Sequence, residues 1–194
     1  MDLTNLCLSM EGKELLELAE GPDVGNKIYI LLTDTKTNFS KVSKFITKAP
    51  YNHVSIAFDR NLDEIYAYAI SNDNGMRGGI MRETKEELNG AHYSLYEMNV
   101  SLETMFKIKS RVIELYENVE DTKYNYLGLI NAIFKREIFK SDEKSMMFCS
   151  QFVVELLRSA DIQLMSKRGS STVTPYDLVK DKLLRFVKRG ILKA

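Results

Sequence analysis

Apolar positions recur every second residue in the first half of the chain and at helical spacing in the second. Residues 27–33 (KIYILLT) form a short apolar run bounded by turn residues, the pattern of a buried strand. Residues 52–58 (NHVSIAF) alternate cleanly, with Val54, Ile56 and Phe58 on one side and His53, Ser55 and Ala57 on the other. Asp59-Arg60-Asn61 predict a turn and residues 62–70 (LDEIYAYAI) the hairpin partner. Residues 71–79 (SNDNGMRGG) read as a polar, glycine-rich hairpin loop, and residues 93–98 (YSLYEM) as a further strand. Two short helical patterns lie among these strands, at 11–21 before Gly21-Pro22 and at 39–48 before Ala49-Pro50. Beyond residue 100 the period lengthens. Leu102, Met105, Ile108, Val112 and Tyr116 mark an amphipathic helix over 101–120; a second helix is predicted over 125–135 and a third over 149–160. The charged stretch 135–145 predicts a loop or a solvated edge. Thr174-Pro175 opens a short helix, and residues 184–187 resemble a last strand.

Strands followed by helices predict an α+β fold, since a doubly wound sheet would alternate them. The 194 residues suit one domain over 27–194 behind an N-terminal helical extension over 1–26. Lys and Arg number 27, and so do Asp and Glu, so the formal charge is zero. That balance argues against a nucleic-acid partner, which would require a basic surplus. No apolar run approaches the roughly 18 residues of a transmembrane span. The amino terminus lacks the basic start and apolar stretch of a secretory signal, so a cytoplasmic location is expected. Two cysteines, Cys7 and Cys149, and two histidines, His53 and His92, exclude a disulfide framework and a zinc ribbon.

Cys149 falls in the first turn of a predicted helix, where unpaired amide N–H groups and the helix dipole favour a thiolate nucleophile. The same position also lies on the stripe of Phe152, Val153 and Leu156, so a small core residue fits it equally. His53 lies on the small-residue side of its strand, where there is room for a helix end or a ligand. Its ordinary pKa near neutrality suits proton transfer, and a buried histidine bonded to a carbonyl is the structural alternative.

YNHVSIAFD (51–59), then FCSQFVVELLRSADI (148–162), then VTPYDL (173–178), resemble the circularly permuted NlpC-type papain-like cysteine hydrolases, relatives of the lecithin retinol acyltransferase-like enzymes. His53 precedes Cys149, as in the permuted group. The likeness spans about residues 27 to 180 and implies an antiparallel sheet or small barrel packed against a helical subdomain that carries the cysteine helix. It implies Cys149 as nucleophile, His53 as general base, and the Cys149 N–H as oxyanion donor. A third polar residue would orient His53 from the neighbouring strand. Glu64 is the candidate, with Tyr66 and Tyr68 on the same side and Ala67 and Ala69 on the other.

The implied reaction is hydrolysis of an amide, in a short peptide or amino-acid-like substrate, through an acyl-Cys149 intermediate. Alternatives are lipid acyl transfer, or a catalytically idle module that holds a small ligand or peptide. A third, structural alternative makes Cys149 and His53 core filler. No cofactor or metal is expected, since the cysteines and histidines include no close ligand pair. Thr174 and Asp177 predict a helix cap near the cleft, and Tyr124 and Tyr126 core packing or a pocket lining. His92 and Cys7 have no predicted role.

Overall fold

A computed structural model of the chain describes residues 26–35, 49–71, 77–140 and 145–193. The predicted helices over 11–21 and 39–48, the N-terminal extension and Cys7 lie outside the described residues. Among the described residues, eight strands and four α-helices follow one another as β1 (Asn26–Asp34), β2 (His53–Ala57), β3 (Ile65–Ser71), β4 (Arg77–Glu83), β5 (His92–Val100), α1 (Leu102–Glu117), β6 (Lys123–Tyr124), α2 (Tyr126–Phe134), β7 (Met146–Met147), α3 (Cys149–Ser159), α4 (Pro175–Leu178) and β8 (Arg185–Ile191).

Six strands form one sheet in the order β4-β3-β2-β1-β5-β8, every neighbour antiparallel. β1 is central because both of its sides are apolar. Ile28, Ile30 and Leu32 face one core with Val54, Ile56, Ile108, Val112, Phe152 and Val153, the last four from α1 and α3. Tyr29 and Leu31 face a smaller cluster with Ala57, Ile65, Leu88 and Leu95. The sheet is open, with β4 and β8 as its edges, so the small-barrel alternative does not hold. β8 runs further than its predicted four residues and exposes Arg185, Lys188 and Arg189 on its edge. Charge there discourages pairing with another chain.

The predicted loop over 71–79 is replaced in part by a strand. β4 begins at Arg77 and pairs with β3 from Ser71↔Arg77 to Ile65↔Glu83. Its two glycines hide its character in the sequence, and packing requires them. A Cβ on Gly78 would lie 2.5 Å from Tyr124 Cβ, and one on Gly79 2.2 Å from Thr122 Oγ1. The segment 122–124 therefore lies directly on β4. There β6 pairs in parallel with β7, Tyr124 opposite Met147, two residues before Cys149.

Two caps fix the helices near this point. Asn125, fully buried, caps α2 by accepting the Gly128 N–H at 2.7 Å and donates through Nδ2 to Gln151 Oε1 at 3.1 Å. Thr174 caps α4 in a capping box: its Oγ1 accepts the Asp177 N–H at 3.2 Å and donates to Asp177 Oδ2 at 2.7 Å. This turn is joined to the cysteine helix, because the Ser150 hydroxyl donates to Val173 O at 2.6 Å. Thr174→Ala is expected to lower the unfolding free energy by about 1 kcal/mol, read from the urea midpoint at unchanged slope.

Candidate active site

α3 begins abruptly. Phe148 occupies the N-cap position in extended conformation and makes no side-chain capping bond. The first-turn amide N–H groups around Cys149 thus lack the Ser, Thr or Asp oxygen that usually engages one of them. Cys149 is buried, 3% exposed, among Phe152, Val153 and Met147. The residue is packed in the core and also stands at an uncapped helix start.

The structure brings His53 to Cys149. His53 is the first residue of β2 and is 9% exposed. Its Nε2–H donates to Glu83 Oε1 at 2.7 Å. Ser55 Oγ lies 3.3 Å from the same ring nitrogen, and its hydroxyl donates to Glu83 Oε2. The carboxylate is therefore held at both oxygens. With Nε2 so engaged, Nδ1 is the ring nitrogen left for the Cys149 side chain, which stands close enough to raise the His53 pKa.

Charge balance follows from this arrangement. Burial works against the imidazolium, but the Glu83 carboxylate and the Cys149 side chain outweigh it and hold the His53 pKa well above its ordinary value. Burial likewise works against the Glu83 carboxylate, and the charge and hydrogen bond of His53, with the Ser55 hydroxyl, outweigh it and lower the Glu83 pKa. His53 thus keeps its Nε2–H on the buried Glu83 carboxylate, and the proton it gains on becoming charged is taken at Nδ1.

Tyr124 completes the cluster. Its side chain is buried on Gly78 and stands close enough to Cys149 for that side chain to raise the phenol pKa. Burial, with the Cys149 and Tyr126 side chains adding to it, pushes the phenol well above its ordinary pKa, so its O–H remains available to donate towards Sγ. The Tyr126 ring meets Tyr124 edge-on at 5.2 Å.

Glu64 is not the third residue. The Asp59 carboxylate in the β2–β3 turn accepts its backbone N–H at 2.9 Å, and its own carboxylate turns outward to Lys109 Nζ at 3.0 Å. Tyr66 packs against Phe58 and Tyr116, and Tyr68 donates to Ser145 O at 3.1 Å while stacking on Phe152. The orienting carboxylate comes instead from one strand further out. Ala57, Ile65 and Glu83 share one row of the sheet, on the side of His53 and Ser55. Beyond Ile65, β3 carries only the small Ala67 and Ala69 on that side, and the longer Glu83 side chain reaches His53 and Ser55 on β2. Alternation around Glu83 was the available signal, and the neighbouring glycines obscured it. His92, at the start of β5, is exposed. Among the described residues no group of three or more His, Cys, Asp or Glu side chains is arranged to hold a metal ion.

Comparison of the chain with protein-family models, with curated proteins and with solved structures finds no match.

Proposed function

We propose that this chain is a permuted papain-like cysteine hydrolase that cleaves an amide in a short peptide or amino-acid-like substrate. One observation carries the reading: an imidazole held by Glu83 at Nε2 and meeting the Cys149 side chain at an uncapped helix start. Cys149 Sγ attacks the carbonyl carbon, forming a C–S bond, while His53 Nδ1 takes the thiol proton. The oxyanion is met by the Cys149 N–H and the Tyr124 hydroxyl. As the C–N bond breaks, the imidazolium returns that proton to the leaving amine. Water then attacks the acyl-cysteine, giving up one proton to His53 and releasing the acid and the thiol. Glu83 fixes the tautomer that leaves Nδ1 facing sulfur, and Ser55 fixes Glu83.

The test is alkylation. Cys149 is expected to react with iodoacetamide faster than Cys7 near neutral pH, and His53→Ala to slow Cys149 alone, with sites assigned by peptide mass spectrometry. Equal rates at the two cysteines would remove the nucleophile assignment. The burial of Cys149 favours a second reading, an idle module that holds a small ligand at the same place. Its signature is a Cys149 that resists alkylation in the folded chain but reacts once unfolded.

A further inference from the structure

The second helix turns much of its apolar surface outward. Within α2 only Gly128, Asn131 and Ala132 are buried. Leu127 and Phe134, on one stripe, are 52% and 66% exposed, and in the turn that follows Ile138 and Phe139 are 50% and 40% exposed. Phe134 and Ile138 line one shallow hollow with Arg136 and Glu137. Single exposed apolar residues are ordinary, but a contiguous group of this kind marks an interaction surface.

Two features indicate what meets it. The first is the backbone of the turn. Asn131 is fully buried; its Oδ1 accepts the N–H groups of Ile138 and Phe139, each at 2.9 Å, and its Nδ2 donates to Phe139 O at 2.6 Å. Three backbone groups at these two side chains, the Ile138 and Phe139 N–H and the Phe139 C=O, are therefore satisfied within the protein. That lowers the cost of bringing the turn against an apolar medium. The second is charge. Among the described residues, Lys135, Arg136 and Lys140 surround the tip with one carboxylate, Glu137, and all four are exposed. Lys135 also lies 3.3 Å from Asp177, which Arg168 at 2.8 Å and Lys180 at 3.2 Å already neutralise. Although the whole chain is neutral, the described residues of this face, 126–140, carry three basic side chains and one acidic.

We propose that residues 126–140 form an interfacial face that inserts Phe134, Ile138 and Phe139 shallowly into an anionic phospholipid surface, with Lys135, Arg136 and Lys140 meeting the phosphates. Apolar side chains beside cations are what the boundary between headgroups and acyl chains accepts. Insertion is peripheral, since no helix among the described residues is long and apolar enough to cross a membrane. The proposal is independent of the chemistry at Cys149.

The test is sedimentation of the full chain with vesicles of phosphatidylcholine, alone or mixed with phosphatidylglycerol. Binding to the anionic vesicles is expected to exceed that to neutral ones by about tenfold or more and to weaken as salt is raised. Ile138→Ser/Phe139→Ser is expected to lower it about tenfold or more, and Lys135→Gln/Arg136→Gln/Lys140→Gln to remove its salt dependence. Thermal melts confirm that each variant is folded. Should the Ile138/Phe139 pair lower the melting temperature, Phe134→Ser at the exposed end of α2 supplies the same measurement. The proposal fails if the chain does not sediment with anionic vesicles, or if the folded variants sediment as well as the parent. It fails equally if the chain is a lipid-free dimer that these substitutions dissociate, which would assign the face to a second copy.

Discussion

Glu83→Gln is expected to slow alkylation of Cys149 about a hundredfold near pH 6, which corresponds to about 3 kcal/mol of lost imidazolium stabilisation. Two effects combine. The substitution removes the negative charge 2.7 Å from His53 Nε2, after which burial pulls the imidazole towards its neutral form. It also acts on the tautomer. Ser55 donates to the other oxygen of Glu83 and would keep the amide oxygen on its own side, turning the amide NH2 towards Nε2. Nε2 must then accept, the ring proton moves to Nδ1, and the nitrogen facing Cys149 can no longer take a proton. Adding Ser55→Ala lets the amide turn round and is expected to recover part of the rate. If Glu83→Gln alkylates as fast as the parent, the carboxylate has no orienting role.

The same substitution alters stability in a pH window whose signs follow from the two pKa shifts. The His53 pKa is raised above 6.5, so its contribution is complete below about that pH and fades as pH rises through the folded value. The Glu83 pKa is lowered below 4.5, so its contribution is complete above about that pH and is lost as pH falls through the folded value. The stability difference between the parent and Glu83→Gln should therefore peak between those two ordinary pKa values and shrink on either side, as urea titrations across pH would register.

The error over Glu64 shows where sequence reading loses the site. Cys149 and His53 are legible because each depends on local signals, a helix start and a strand with unequal sides, and the α+β division is legible from the change of period. Glu83 depends on a strand-to-strand register. Its strand looks like a loop because Gly78 and Gly79 occupy positions where a side chain would normally mark alternation. Those glycines answer to Thr122 and Tyr124, residues far along the chain. Tyr124 is legible as a packing or pocket aromatic, but its place beside Cys149 is hidden for the same reason. As a sequence element it is an aromatic residue between two short segments, and only the pairing of β6 with β7 brings it beside the cysteine. Local periodicity cannot encode a contact that exists because two distant backbones touch.

Gly78→Ala tests that contact directly and should destabilise the protein by about 3 kcal/mol, the upper part of the range for overpacking a close-fitting interior. The new methyl would stand 2.5 Å from Tyr124 Cβ, an atom fixed to the backbone that no rotamer change can withdraw. Relief requires β6 to move off β4, which draws the Tyr124 hydroxyl away from Cys149 and strains the strand that carries Glu83. Alkylation of Cys149 should therefore slow along with the loss of stability. Gly90→Ala is the control. Gly90 has φ of +77°, and a Cβ there meets nothing within 4 Å, so only backbone strain of about 1 kcal/mol is expected. That variant should lose stability without changing the Cys149 rate. If Gly78→Ala is equally destabilised yet alkylates like the parent, Tyr124 serves packing alone, and the oxyanion must depend on the backbone amides at the start of α3.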